Sequence, residues 1–274
     1  MPSWGLHFCV VLSMAVSVQG QEMRIYTRIH RPTQVEKPAQ GPVVARSLTL
    51  FHAGKVYDYL DSVQEVTIYE PHLRRITILD EQRQLATEIS LEQVRHFLQL
   101  AEQQARERIE SGVGTPSAQS PALRLLQFQL SPRFEPIVDS RTQAITLTGD
   151  AFRYDAQGFT PTNPEVIEAY LGYADVAAML NSLLHPQTFL PGPRLELNRQ
   201  LRAEKWLPQT VRLRVDMRPP LDLYVEHGWT WTLATKDRQQ IHHWEQSLRS
   251  PTLRRQPFQE FQKDTLSGEA TAKR

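Results

Sequence analysis

His227 stands on an apolar alternation between Val225 and Trp229, where an imidazole could serve a pocket as acid, base or hydrogen-bond donor. A histidine hydrogen-bonded within a core carries the same signature, and that is the commoner origin of the pattern. His242 and His243 are neighbours on an expected helix, about 100° apart, so they cannot turn both rings to one ion as an i,i+4 pair can. Asp58 and Asp61 flank Tyr59-Leu60, and Asp150 and Asp155 flank Phe152-Arg153-Tyr154. Paired carboxylates can do acid and base work, but turns and strand edges hold solvated carboxylates at the same spacing. The chain has no His-Glu-x-x-His, paired Cys-x-x-Cys, Asp-rich calcium loop or Gly-x-Ser-x-Gly elbow. The expectation is therefore of no metal site, no cofactor and no catalytic residue, in a protein that is not an enzyme.

Aromatic residues offer a different chemistry. Tyr26, Tyr57, Tyr59, Trp229, Trp231 and Trp244 could line a cavity for an apolar ligand, and core packing alone would place the same residues. Which of the two holds depends on the elements that carry them.

The chain opens on an apolar run, Leu6 to Val18, followed by Val18-Gln19-Gly20 and polar Gln21-Glu22, the layout of a secretory signal peptide. Thirteen helical residues span roughly 20 Å, short of the ~30 Å hydrocarbon core, which favours cleavage near Gln21 over an uncleaved anchor. One departure stands out: residues 1–20 contain no Lys or Arg. The single cysteine, Cys9, lies within the run, so the mature chain would hold no disulfide. An exported, disulfide-free protein without an integral membrane span points to the periplasm, or else to the extracellular space.

The net charge is +1; Arg249 to Arg274 carries six Lys/Arg against three Asp/Glu, which leaves the rest slightly acidic. Neither part has the basic footprint of a nucleic-acid binder.

Alternation predicts strands at Met23 to Ile29, Val43 to Phe51, Lys55 to Leu60, Glu65 to Tyr69, Arg74 to Leu79 and Gln84 to Ile89, the last five closely spaced as a meander. Further strand patterns fall at Leu123 to Leu130, Phe134 to Asp139, Ala144 to Thr148 and Phe152 to Tyr154. Ser90 with Gln93 forms a capping box for a helix through Leu91, Val94, Leu98, Ala101, Ala105 and Ile109. A second helix, 164 to 184, starts at Asn163-Pro164 and is apolar on most sides, so it is buried. Val211 to Met217 and Leu221 to Leu233 read as an antiparallel pair with one buried face, and Asp237 to Leu248 as a last helix.

The meander also carries a resemblance. Phe51-His52-Ala53-Gly54-Lys55-Val56-Tyr57-Asp58-Tyr59-Leu60, Thr67-Ile68-Tyr69-Glu70-Pro71 and Ile76-Thr77-Ile78-Leu79-Asp80 resemble the Gly-Lys-x-aromatic-x-aromatic hairpins of the periplasmic outer-membrane lipoprotein carrier family and related lipoprotein-sorting-like domains. The resemblance spans roughly residues 43 to 89. It implies an incomplete antiparallel barrel capped by helices, with a hydrophobic interior that holds acyl chains. The segment containing helix 164 to 184 and Pro191 to Leu207 has no counterpart there, and no ligand-contacting residue is carried over.

The expected object is an α+β protein, a curved antiparallel β-sheet (an incomplete barrel) packed against two or three helices. Residues 1–20 form the signal peptide, 21–249 a single domain with a loop at 111–121, and 250–274 a flexible polar tail. Its expected role is to bind or carry an apolar ligand, a lipid or lipoprotein acyl chain, in a cavity lined by Tyr57, Tyr59, Ile68, Ile78, Trp229 and Trp231. The alternative is a structural or protein-interaction module that meets an envelope protein partner and has a filled core.

Overall fold

Apolar and polar residues alternate along most strands of this chain, and that alternation gives its sheet two different faces. In the computed structural model, residues 22–33, 37–112, 120–185 and 188–272 are described. The first six strands are β1 (Met23–His30), β2 (Val43–His52), β3 (Lys55–Leu60), β4 (Glu65–Glu70), β5 (Arg75–Asp80) and β6 (Leu85–Ser90). They are followed by β7 (Glu135–Asp139), β8 (Ala144–Thr148), β9 (Phe152–Phe159), β10 (Leu207–Val215), β11 (Leu221–Thr230) and β12 (Arg254–Arg255). All twelve join one curved, open sheet in the order β12-β6-β5-β4-β3-β2-β1-β11-β10-β9-β8-β7. Every pairing is antiparallel except β12 with β6. The β1–β11 pairing makes the meander and the later strands one sheet rather than two. At the β2–β3 hairpin Ala53 and Gly54 both have positive φ, 50° and 74°, as a two-residue primed turn requires.

The helices are α1 (Leu91–Gly112), α2 (Pro121–Leu130), α3 (Glu165–Leu184), α4 (Gly192–Glu204), α5 (Thr235–Arg249) and α6 (Phe258–Ala272). At the head of α1, Gln93 N donates to Ser90 Oγ and Ser90 N donates to Gln93 Oε1, at 3.1 and 2.9 Å, the expected capping box. Glu165 N donates to Asn163 Oδ1 at 3.0 Å where α3 begins. The main core lies between one face of the sheet and helices α1, α3, α4 and α6, with Ile25, Ile76, Ile78, Leu171, Leu197 and Phe261 almost fully enclosed. On the opposite face α5 packs Ile241 and Trp244 over Leu50, Tyr57, Val66, Ile68 and Leu79. Each such side chain stabilises the fold by about 1.5–3 kcal/mol through burial. Where β9 to β11 leave that face open to solvent, ion pairs replace apolar residues: Arg212 with Asp222, and Arg214 with Asp155.

The α+β class with a curved antiparallel sheet is observed, but among the described residues six helices pack on it rather than two or three. Leu123 to Leu130 is helix α2, not a strand. Ser120 Oγ accepts from Leu123 N at 3.3 Å and Pro121 occupies the first turn, a start signal that outweighs the apolar run behind it. Helix α1 runs through 111–112 and α2 begins at Pro121, so the 111–121 stretch is shorter as a loop than expected; residues 113–119 lie outside those described. Pro191 to Leu207 holds α4. The tail is not polar and free throughout. Arg254–Arg255 pairs with β6, and α6 places Phe258 and Phe261 in the main core because their i,i+3 spacing puts both rings on one face. Strand β11 ends at Thr230, so Trp231 leaves the alternation. The expected signal peptide, residues 1–20, lies outside those described. Among the described residues no helix is long and apolar enough to cross a membrane.

Candidate functional site

Strand register assembles the site. His227, Thr27, Ser47, Leu60 and Glu65 stand opposite one another across β11, β1, β2, β3 and β4. The next row on that face is Trp229, Ile25, Thr49, Asp58, Thr67 and Ile78. The two rows put hydroxyls, two carboxyls and an imidazole on the floor beneath α3. Over this floor α3 presents Tyr170, Tyr173, Ala174, Ala177, Ala178, Leu180, Asn181 and Leu184. The alanines are too short to reach the strands, and a cavity of about 370 Å³ remains between helix and sheet.

Asp58 is the anchor of the floor. Its Oδ1 accepts from Thr49 Oγ1 and its Oδ2 from the Tyr173 hydroxyl, both at 2.8 Å. Burial raises its pKa, and the two donors oppose that rise. Enclosure first, and the Asp58 charge second, push the Tyr173 phenol well above its ordinary value. Glu65 borders the same cavity; burial, with the Asp80 carboxylate adding to it, pushes its pKa up to about 7. No side chain among those described hydrogen-bonds the Glu65 carboxyl.

The other end of the floor has the opposite character. His227 Nδ1 lies 3.0 Å from Thr27 Oγ1, while its Nε2 is enclosed with no partner among the described residues. Burial first, then the nearby Arg194 guanidinium, lower the pKa of His227 to about 3, so the ring is neutral at any physiological pH. Arg194 reaches the cavity from α4, oriented by Nε donating to Asn198 Oδ1 at 3.0 Å, and lies against the Tyr170 hydroxyl. It forms no salt bridge among the described residues. The Tyr170 ring in turn packs edge-on against Trp229, with centroids 4.8 Å apart.

This arrangement can hold a molecule by hydrogen bonds and enclosure. Glu65, with its pKa up at about 7, could exchange a proton near neutral pH. Both Asp58 oxygens are occupied by donors, and an imidazole whose pKa lies near 3 makes a poor proton acceptor at neutral pH. Among the described residues no group of three His, Cys, Asp or Glu side chains could hold a metal ion.

The six residues expected to line a cavity are divided between two faces. Tyr57, Tyr59 and Ile68 lie under α5, where Tyr57 stacks on Trp244 and Tyr59 tilts against it, with centroids 6.1 and 5.5 Å away. The Tyr57 hydroxyl donates to Glu245 Oε1 at 2.8 Å. Ile78 and Trp229 are on the α3 face but belong to its packed part, and the Trp229 Nε1–H donates to Pro208 O at 3.0 Å. Trp231 borders a second, smaller cavity of about 230 Å³ with Glu22, Pro161, Thr162, Asn163 and Val166, and is 46 % exposed.

Asp58 reads from the sequence, with Asp61, as a candidate acid–base pair better explained by solvated carboxylates, while Glu65, Tyr170, Tyr173 and Arg194 are not singled out there as site residues. Asp58 had a signal: it alternates with Val56 and Leu60, so an acid was placed on an apolar face. Glu65 and Arg194 had none, since each stands at the start of an element, where charges are ordinary. No protein-family model matches this chain, and no curated protein is similar to it.

Proposed function

We propose that the protein is a non-catalytic binding protein for a small amphiphile, held between α3 and the sheet. The observation that carries this reading is the cavity of about 370 Å³, with an alanine-rich wall on the helix and a polar floor on the strands. A purely apolar chain would leave the Arg194 guanidinium and the unpartnered His227 Nε2 facing methylenes; an amphiphile meets both polar and apolar surfaces. The volume falls at the small end of the ~300–1,000 Å³ common for ligand sites, which suits one short chain. Each methylene enclosed would add about 0.8 kcal/mol. With the apolar run at residues 6–18, the reading extends to a carrier working outside the cytoplasm.

Native mass spectrometry of the exported chain, purified without detergent, tests this directly, followed by titration with a ten-carbon carboxylate and a ten-carbon alcohol. A bound amphiphile, or saturable uptake of either compound, supports it. Bare protein that takes up neither compound would sink it. The weight would then move to an envelope interaction module, for which β7 is the supporting feature: an outermost strand with Ile137 67 % exposed.

A further inference from the structure

The two ends of the cavity differ in charge, and that difference selects the head group. Three strand steps separate Asp58 on β3 from His227 on β11, and four separate Glu65 from it. At a spacing of ~4.8 Å these are roughly 14 and 19 Å along the sheet, although the Asp58 charge still reaches Tyr170. A head group at the β11 end therefore meets the Arg194 guanidinium directly and the carboxyls only from a distance. At the β3–β4 end an anion would face two acids. Arg46, which also borders the cavity, is exposed, where water screens its charge.

At the β11 end the donors converge. The Arg194 guanidinium spends its Nε–H on Asn198, also faces the Tyr170 hydroxyl and has no carboxylate partner among the described residues, which leaves further N–H groups for a ligand. The Tyr170 hydroxyl lies against that guanidinium, and the unpartnered His227 Nε2 belongs to the same cluster, with ring centroids of Tyr170 and His227 6.2 Å apart. From there Ala174, Ala177 and Ala178 continue an apolar wall along α3 toward Leu184. We propose that the cavity takes a carboxylate-headed amphiphile, its head seated on Arg194 and Tyr170 and its chain lying along the alanine face of α3. A guanidinium suits a planar carboxylate because its N–H groups form a fixed fork that two carboxylate oxygens can meet together.

This rests on the binding reading above, and the test separates the two. Calorimetric titration at neutral pH and low ionic strength compares decanoate with decan-1-ol on the wild-type chain, on Arg194→Gln and on Arg194→Lys. Decanoate is expected to bind about ten-fold or more tighter than the alcohol, the worth of one charge-assisted hydrogen bond. Arg194→Gln is expected to lose that preference while keeping its affinity for the alcohol, and Arg194→Lys to retain most of it. Equal wild-type affinities for the two compounds would overturn the carboxylate assignment and leave the binding reading standing. So would a preference that survives Arg194→Gln. If wild-type protein takes up neither compound, both readings fall together. Should Arg194→Gln not fold, Tyr170→Phe gives the same comparison, with part of the preference lost.

Discussion

The hydroxyl of Tyr173 donates to Asp58 Oδ2 at 2.8 Å, tying α3 to the third strand across 115 residues of sequence. Thr49 holds the other oxygen, so the carboxyl is fixed from both sides. Replacing Tyr173 with Phe keeps the ring contacts with Phe51 and Tyr69 and removes one donor from an enclosed acid. The expected cost is about 1–3 kcal/mol, read as a shift of the urea midpoint with unchanged slope. A cycle with Asp58→Asn should show coupling of roughly 0.5–3 kcal/mol; additive single effects would mean that the bond does not form in solution.

Glu65 and His227 give the stability curve a shape that single variants expose. Glu65 titrates near 7 in the folded chain against an ordinary 4.5, so the stability it contributes is full below 4.5 and is lost as pH rises to 7. His227 titrates near 3 against an ordinary 6.5; its contribution is present above 6.5 and is lost as pH falls toward 3. Between 4.5 and 6.5 the two slopes oppose each other and largely cancel. Relative to wild type, Glu65→Gln should gain stability with rising pH across that window, and His227→Asn should lose it, each by up to about 1.4 kcal/mol per pH unit. Urea midpoints taken across the window check both signs. A Glu65→Gln curve parallel to wild type would show that Glu65 titrates as an ordinary surface acid.

Two tryptophans that look alike in the sequence should behave differently. Trp244 is fully enclosed between Tyr57, Tyr59 and Glu81, its indole N–H donating to Glu81 Oε2 at 3.2 Å. Trp244→Ala should cost about 3–5 kcal/mol. Trp231 is 46 % exposed, and Trp231→Ala should stay within about 1 kcal/mol and leave uptake in the α3 cavity unchanged. A loss of uptake in Trp231→Ala would move the site to the smaller cavity.

Those tryptophans show where the sequence could be read and where it could not. Period-two alternation marked eleven of the twelve strands and, through Val56, Asp58 and Leu60, even carried the face of the key acid. It could not say which face of the sheet would hold a cavity, because Tyr57 and Asp58 are adjacent and point opposite ways, and the helix that covers each comes from far along the chain. Alternation also continued past Thr230 to Leu233, while hydrogen bonding to β1 pairs Thr230 with Arg24 and extends no further. Leu123 to Leu130 was ambiguous because a short apolar run fits either period, and only Ser120-Pro121 in front of it decided for a helix. Arg194 could not be found at all: its role depends on α4 meeting α3, a contact with no local signature.

The end of the chain provides the sharpest test of that last kind of contact. Composition after Ser250 resembles a solvated tail, and for such a tail a single substitution should change stability by no more than about 0.5 kcal/mol. In the folded chain Phe261 is fully enclosed, Phe258 stacks on Phe97 with centroids 5.9 Å apart, and Gln262 Nε2 donates to Leu183 O at the end of α3. Arg83 lies over the Phe261 ring at 5.7 Å, so the helix also meets the meander. Phe261→Ala should therefore cost about 3–5 kcal/mol, a large share of the 5–15 kcal/mol that domains of this kind possess. Because α6 braces the C-terminal end of α3, the same change should loosen the far wall of the cavity. Hydrogen exchange across α3 should then rise first near Leu183 and Leu184 and last near Tyr170. A Phe261→Ala chain with an unchanged urea midpoint would mean that α6 does not dock in solution, and that α3 is held by α1, α4 and the sheet alone.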